Sequence, residues 1–70
     1  MKSNGKLRIA ENIKKYRAKL SVSQDQLSKL AGITYNTLIK LSSGASKNPT
    51  IETLSKIAKA LHVSVDDLIH

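Results

Sequence analysis

Residues 23–44 read SQDQLSKLAGITYNTLIKLSSG. Ser23 carries the short hydroxyl of a helix N-cap. Gln26 stands three residues on, where its amide can return a hydrogen bond to the cap. Leu27, Leu30 and Ala31 then fall on one helical stripe. Gly32 ends the stripe, because a residue without Cβ enters the left-handed region at little cost. The run predicts a helix of about two turns over 24–31. Ile33 follows, Thr34 is a second N-cap, and a further helix is expected over 35–43, stopping at Gly44. At about 100° per residue, Thr37, Leu38 and Leu41 share one side. Asn36, Ile39, Lys40 and Ser43 share the other, so Ile39 is an apolar residue on a polar side.

The flanks repeat the same grammar. Upstream, Leu7, Ala10, Ile13, Arg17 and Leu20 recur at three- and four-residue steps and predict a first helix over about 7–20. Residues 1–6, MKSNGK, have no periodicity and are expected to form a flexible tail. Downstream, residues 45–49, ASKNP, are expected to form a loop. Thr50 caps a fourth helix with the stripe Ile51, Leu54, Ile57, Ala58 and Leu61. Ser64 caps a short fifth helix ending in Leu68 and Ile69, with Asp66 and Asp67 in its first turn, where negative charge is favoured. Nothing reads as a strand. Helices this short are marginal alone in water, so their stripes must share one core. The expected fold class is all-α, a compact five-helix bundle over residues 7–70. Its second and third helices are joined by about three residues including a glycine, which is the helix-turn-helix arrangement.

Composition narrows the function. The chain has 70 residues and no cysteine, which removes disulfides, thiolate nucleophiles and cysteine-built metal sites. Tyr16 and Tyr35 are its two aromatic residues, so the core must be aliphatic. The formal charge is +7, a balance that suits a polyanionic partner. The charge is also uneven. Residues 1–49 hold ten Lys/Arg and two acids, Glu11 and Asp25, whereas residues 50–70 hold two Lys and three acids. The helix-turn-helix half is therefore the basic half. No apolar run is long enough for a bilayer and no signal peptide is visible, which makes the cytoplasm the expected location. A peripheral membrane role is disfavoured, since no helix pairs a strongly basic face with a wide apolar one. His62 and His70 lie eight residues apart with no third ligand nearby, a poor metal site. Adjacent Asp66 and Asp67 point in different directions on a helix. No serine has a recognisable base, and no glycine-rich phosphate loop occurs. Neither an enzymatic activity nor a cofactor or metal is expected.

Residues 23–44 resemble the phage-repressor and Cro-like regulators of the XRE family, which are lambda-repressor-like. Ser23, Gln24, Leu27, Ser28, Gly32, Ile33, Thr37, Leu38, Leu41 and Gly44 match the family pattern. The run NPTIETLSKIAKALHVSVDDLI, residues 48–69, resembles the family's fourth and fifth helices. The resemblance implies that the third helix enters the DNA major groove. It implies base contacts from Tyr35, Asn36 and Lys40, and phosphate contacts from Gln24, from Ser43 and from the loop beyond Gly44. Side-chain chemistry agrees. Asn36 can pair with adenine N6 and N7, Lys40 can donate to guanine, and Ile39 can meet a thymine methyl. The expected base contacts are thus Tyr35, Asn36, Ile39 and Lys40. The expected phosphate contacts are Gln24, Thr34, Ser43 and Lys47, with Lys2 and Lys6 adding non-specific attraction.

Two residues depart from the pattern. The family commonly has Glu where this chain has Ser42, paired with an Arg at the place of Arg17. Arg17 must then reach solvent or a phosphate, or be satisfied by Ser42, Ser43 and backbone carbonyls. His62 stands where Gly is frequent, which strains a left-handed cap mildly. The resemblance further implies a transcriptional repressor that binds double-stranded DNA as a homodimer on two half-sites about one helical turn apart. Leu61, Val63, Val65, Leu68 and Ile69 are candidates either for the dimer contact or for closing the core. The competing expectation is a protein-interaction module on the same scaffold, antitoxin-like or a co-regulator with a protein partner.

Overall fold

Among the described residues, four of the five helices begin at a Ser or Thr whose hydroxyl accepts a hydrogen bond from the amide three residues on. In the computed structural model, which describes residues 8–45 and 49–70, the helices are α1 Ile9–Leu20, α2 Gln24–Ala31, α3 Tyr35–Ser43, α4 Ile51–Leu61 and α5 Val65–Ile69. The caps are Ser23, Thr34, Thr50 and Ser64. Ser23 and Ser64 form full capping boxes, in which Gln26 and Asp67 accept from the cap amides at 2.8 and 3.1 Å. These bonds satisfy orphan amides that a bare helix start leaves open. Helix ends use the left-handed cap, at Gly32 and Gly44 as expected and also at Ser21 and His62. The expected tail 1–6, Leu7 and Lys47 lie outside the described residues.

The core is aliphatic. Ile9, Ile13, Leu27, Ala31, Leu38, Leu41, Leu54, Ile57, Ala58, Leu61 and Leu68 are buried together, with Tyr16, Val22 and Ile33 packed at its edge. α1 packs on α3, α4 and α5, α2 packs on α3 and α4, and α4 packs on α5. Burying each of the larger side chains contributes about 1.5–3 kcal/mol. The first helix differs from its expected stripe. Its inward side runs through Ile9, Asn12, Ile13 and Tyr16, while Leu20 is exposed. The apolar residues of α1 fit two neighbouring stripes equally well, and tertiary contact selects the one that includes Asn12. That amide is buried and donates from Nδ2 to the Leu68 carbonyl at 2.7 Å, tying α1 to α5. Two further stripe assignments are corrected. Leu30 is 63% exposed and Ile51 is 69% exposed, each lying at the edge of its helix's apolar arc. Of the five candidates for a dimer contact, Leu61 and Leu68 close the core, whereas Val63, Val65 and Ile69 are only partly covered. Among the described residues no helix is long and apolar enough to cross a membrane.

Candidate nucleic-acid interface

The turn between α2 and α3 spans Gly32, Ile33 and Thr34. Gly32 takes φ 72° and ψ 33°, a conformation that would strain any residue bearing a Cβ. Its amide donates to the Lys29 carbonyl at 3.2 Å, and the Ile33 amide donates to the Ser28 carbonyl at 3.0 Å. The end of α2 is closed by its own chain. Thr34 then caps α3, accepting from the Thr37 amide at 3.2 Å, with the two hydroxyls 2.8 Å apart. The Ser28 side chain is buried within α2. Its hydroxyl donates to the Asp25 carbonyl at 2.7 Å and brings no unpaired group into the core.

This turn leaves one side of α3 uncovered. Leu38 and Leu41 face the core, while Tyr35, Asn36, Lys40 and Ser43 are exposed and Ile39 is half-buried. Tyr35 is 49% exposed although it is aromatic. At about 1.5 Å per residue, the span from Tyr35 to Ser43 is roughly 12 Å, comparable to the width of a B-DNA major groove. α3 contains no acidic residue. Asn36 and Lys40 stand one turn apart on its exposed side. Among the described residues Lys40 has no carboxylate partner, whereas Lys29 and Lys56 are paired with Asp25 and Glu52 at 3.3 and 3.8 Å. The donors on α3 are therefore not engaged by acidic groups of the described chain. Ser43 is exposed, and its hydroxyl donates to the Lys40 carbonyl at 3.2 Å.

The start of α2 supplies the second part of the surface. Gln24 is its first residue and is half-buried. Because Ser23 accepts from the Gln26 amide, the amides of Gln24 and Asp25 remain available at the positive end of the helix dipole. That is the arrangement that receives a phosphate oxygen. Four more cations, Lys14, Lys15, Arg17 and Lys19, lie on α1. Lys15 and Lys19 both place their Nζ atoms over the Tyr16 ring, at 4.9 and 5.4 Å from its centroid. The expected site residues within the described chain, Gln24, Thr34, Tyr35, Asn36, Ile39, Lys40 and Ser43, thus all belong to α2, α3 and the turn joining them. Among the described residues, His, Asp and Glu form no group of three that could hold a metal ion.

Of the partners expected for Arg17, a backbone carbonyl is found and the Ser42 and Ser43 hydroxyls are not. Arg17 donates from Nη1 to the Val22 carbonyl at 3.1 Å, bracing the turn that leads into α2. A bond that spans a left-handed Ser21 has no periodic signature.

Comparison with known proteins gives this geometry a context. Residues 13–68 match the helix-turn-helix family. Control protein C.SmaI of Serratia marcescens is 38% identical over 61 residues, covering 87% of this chain and 71% of C.SmaI. The transcriptional regulator SinR of Bacillus subtilis is 33% identical over 61 residues, which is 87% of this chain but 55% of SinR. The structure of SinR in complex with DNA superposes with a TM-score of 0.82 at 33% identity, covering 86% of this chain and 95% of that one. A chain of a SinR/SinI protein complex gives the same TM-score at 33% identity, over 86% of this chain and 58% of that one. The P22 c2 repressor bound to a synthetic operator superposes with a TM-score of 0.78 at 30% identity, over 87% of this chain and 91% of that one.

Proposed function

The chain belongs to the helix-turn-helix family, and from that footing we propose that it is a sequence-specific DNA-binding transcriptional regulator, a bacterial or phage repressor. α3 enters the major groove of double-stranded DNA. Tyr35, Asn36, Ile39 and Lys40 meet base edges, and Gln24, Thr34, Ser43 and Lys47 meet phosphates. The observation that carries the reading is the uncovered, acid-free side of α3 held beside the amide-rich start of α2. SinR, a regulator by name, and the P22 c2 repressor share this frame, and control protein C.SmaI is similar in sequence. A regulator acts where the DNA is, hence in the cytoplasm, and the chemistry asked of these residues is binding rather than catalysis.

A homodimer on two half-sites fits the same reading, with Val63, Val65, Ile69 and the exposed Ile51 as its apolar contact candidates. A second reading, a co-regulator or antitoxin-like protein-interaction module, is supported by the SinR/SinI complex and by the exposed Leu30. Titration against random duplex DNA at two salt concentrations separates the two. A DNA-binding regulator loses affinity steeply as salt rises, through released counterions. A module that binds only protein scarcely binds the duplex at either concentration.

A further inference from the structure

Three exposed lysines on α1 have no part in the surface built by α2 and α3. At about 100° per residue, Lys14, Lys15 and Lys19 share one outward arc of roughly 140° around the small Ala18. They lie within about 8 Å of one another along the helix axis. Among the described residues no ion pair includes any of them. Glu11 stands four residues before Lys15, a spacing that favours pairing, yet its carboxylate is engaged by Arg8 at 3.5 Å. Lys15 and Lys19 turn to Tyr16 instead, each Nζ lying over the same ring. One ring thus holds two ammoniums whose four-residue spacing makes them repel. Cations are favoured in the last turn of a helix, which accounts for Lys19 and for Arg17. It does not account for Lys14 and Lys15.

We propose that Lys14, Lys15 and Lys19 form a docking surface for an acidic segment of a partner protein. The proposal is independent of the DNA-binding reading. Charge complementarity selects an anionic partner, since the arc presents three ammoniums that no carboxylate of the described chain engages. Two features select protein over duplex. α1 turns Ile9, Asn12 and Ile13 into the core, α3 turns Leu38 and Leu41 into it, and the two helices pack on each other. Their exposed sides are therefore turned apart, and a duplex seated on α3 leaves the lysines of α1 open. The arc is also bordered, on the Lys19 side, by the half-buried Tyr16 and then by Leu20, which is 40% exposed. An apolar side chain within an acidic segment covers such a border, whereas a phosphate backbone has nothing to place there. Because the Tyr16 ring already gathers two of the ammoniums, less freedom is lost when carboxylates arrive.

The experiment follows the backbone amide signals of the full chain by NMR as a short synthetic peptide of glutamates with one central leucine is added. The largest shifts are expected over residues 14–20. Lys15→Gln combined with Lys19→Gln should weaken peptide binding by about fivefold, the share of two surface ion pairs. Lys56→Gln combined with Lys59→Gln removes the same charge from exposed positions of α4 and should weaken it by less than about twofold, through net charge alone. Equal losses in the two double variants would overturn the proposal, because the peptide would then answer only to net charge. Shifts centred on α3, or none at all, would overturn it too. So would a loss of duplex affinity in Lys15→Gln with Lys19→Gln alongside unchanged peptide binding, which would make these lysines DNA contacts.

Discussion

His62 holds φ 62° and ψ 38° at the end of α4, with its amide on the Lys59 carbonyl at 3.2 Å. A residue with a Cβ pays about 1–2 kcal/mol in this region. Part of that is offset in a glycine variant by the greater freedom of its unfolded chain. His62→Gly is therefore expected to stabilise the fold by about 1 kcal/mol, which raises the melting temperature by roughly 4–8 °C for a chain of this size. Thermal unfolding followed by circular dichroism checks this, and an unchanged or lower midpoint would show that the left-handed turn is not strained. Asn12 acts in the opposite direction. It is 6% exposed, and its amide is bonded to the Leu68 carbonyl. Asn12→Ala leaves that buried acceptor without its donor, at a cost of about 1–3 kcal/mol. Urea unfolding should give a correspondingly lower midpoint with little change in the slope of stability against denaturant.

At the scale of helices and turns, the legible part of the sequence was the part governed by local chemistry. Ser23, Thr34, Thr50 and Ser64 announce helix starts because their hydroxyls bond amides three residues away, and each does so in the structure. Gly32 and Gly44 announce helix ends for an equally local reason, their positive φ. Which side of a helix is covered depends instead on its neighbours, and there the sequence was less informative. Leu30 and Ile51 fit the apolar spacing yet stand in solvent, while the polar Asn12 is buried by α5, far off in the chain. The surface of α3 was legible because Leu38 and Leu41 commit its other side to the core. For Arg17 the sequence offered backbone carbonyls as one class of partner but not which one, because the bond to Val22 follows no repeat. A direct contrast tests these assignments. Leu30→Lys should change stability by no more than about 0.5 kcal/mol, as exposed positions do. Leu27→Ala should cost about 2–5 kcal/mol, read by the same urea titration.

At the scale of the molecule, the five helices of the described residues share one small core, and the basic half of the sequence carries both elements of the proposed interface. A chain of this size rarely gains more than about 3–5 kcal/mol from its core. The five-residue α5 contributes the fully buried Leu68, so its loss removes packing on both α1 and α4. Leu68→Ala should therefore cost about 2–5 kcal/mol, as Leu27→Ala does, and lower the urea midpoint to a similar extent.

In the proposed function, α3 reads base edges while its surroundings grip phosphate. Its most direct test is the ratio of affinities for a duplex selected from a random pool and for unselected duplex, at one fixed salt concentration. The ratio is measured for the original chain and for Asn36→Ala combined with Lys40→Ala. Each base-edge contact of this kind discriminates by about 1–3 kcal/mol, so the double variant should lose at least tenfold of the ratio while still folding and still binding unselected DNA. A ratio equal to that of the original chain would contradict the assignment of α3 as the reading helix.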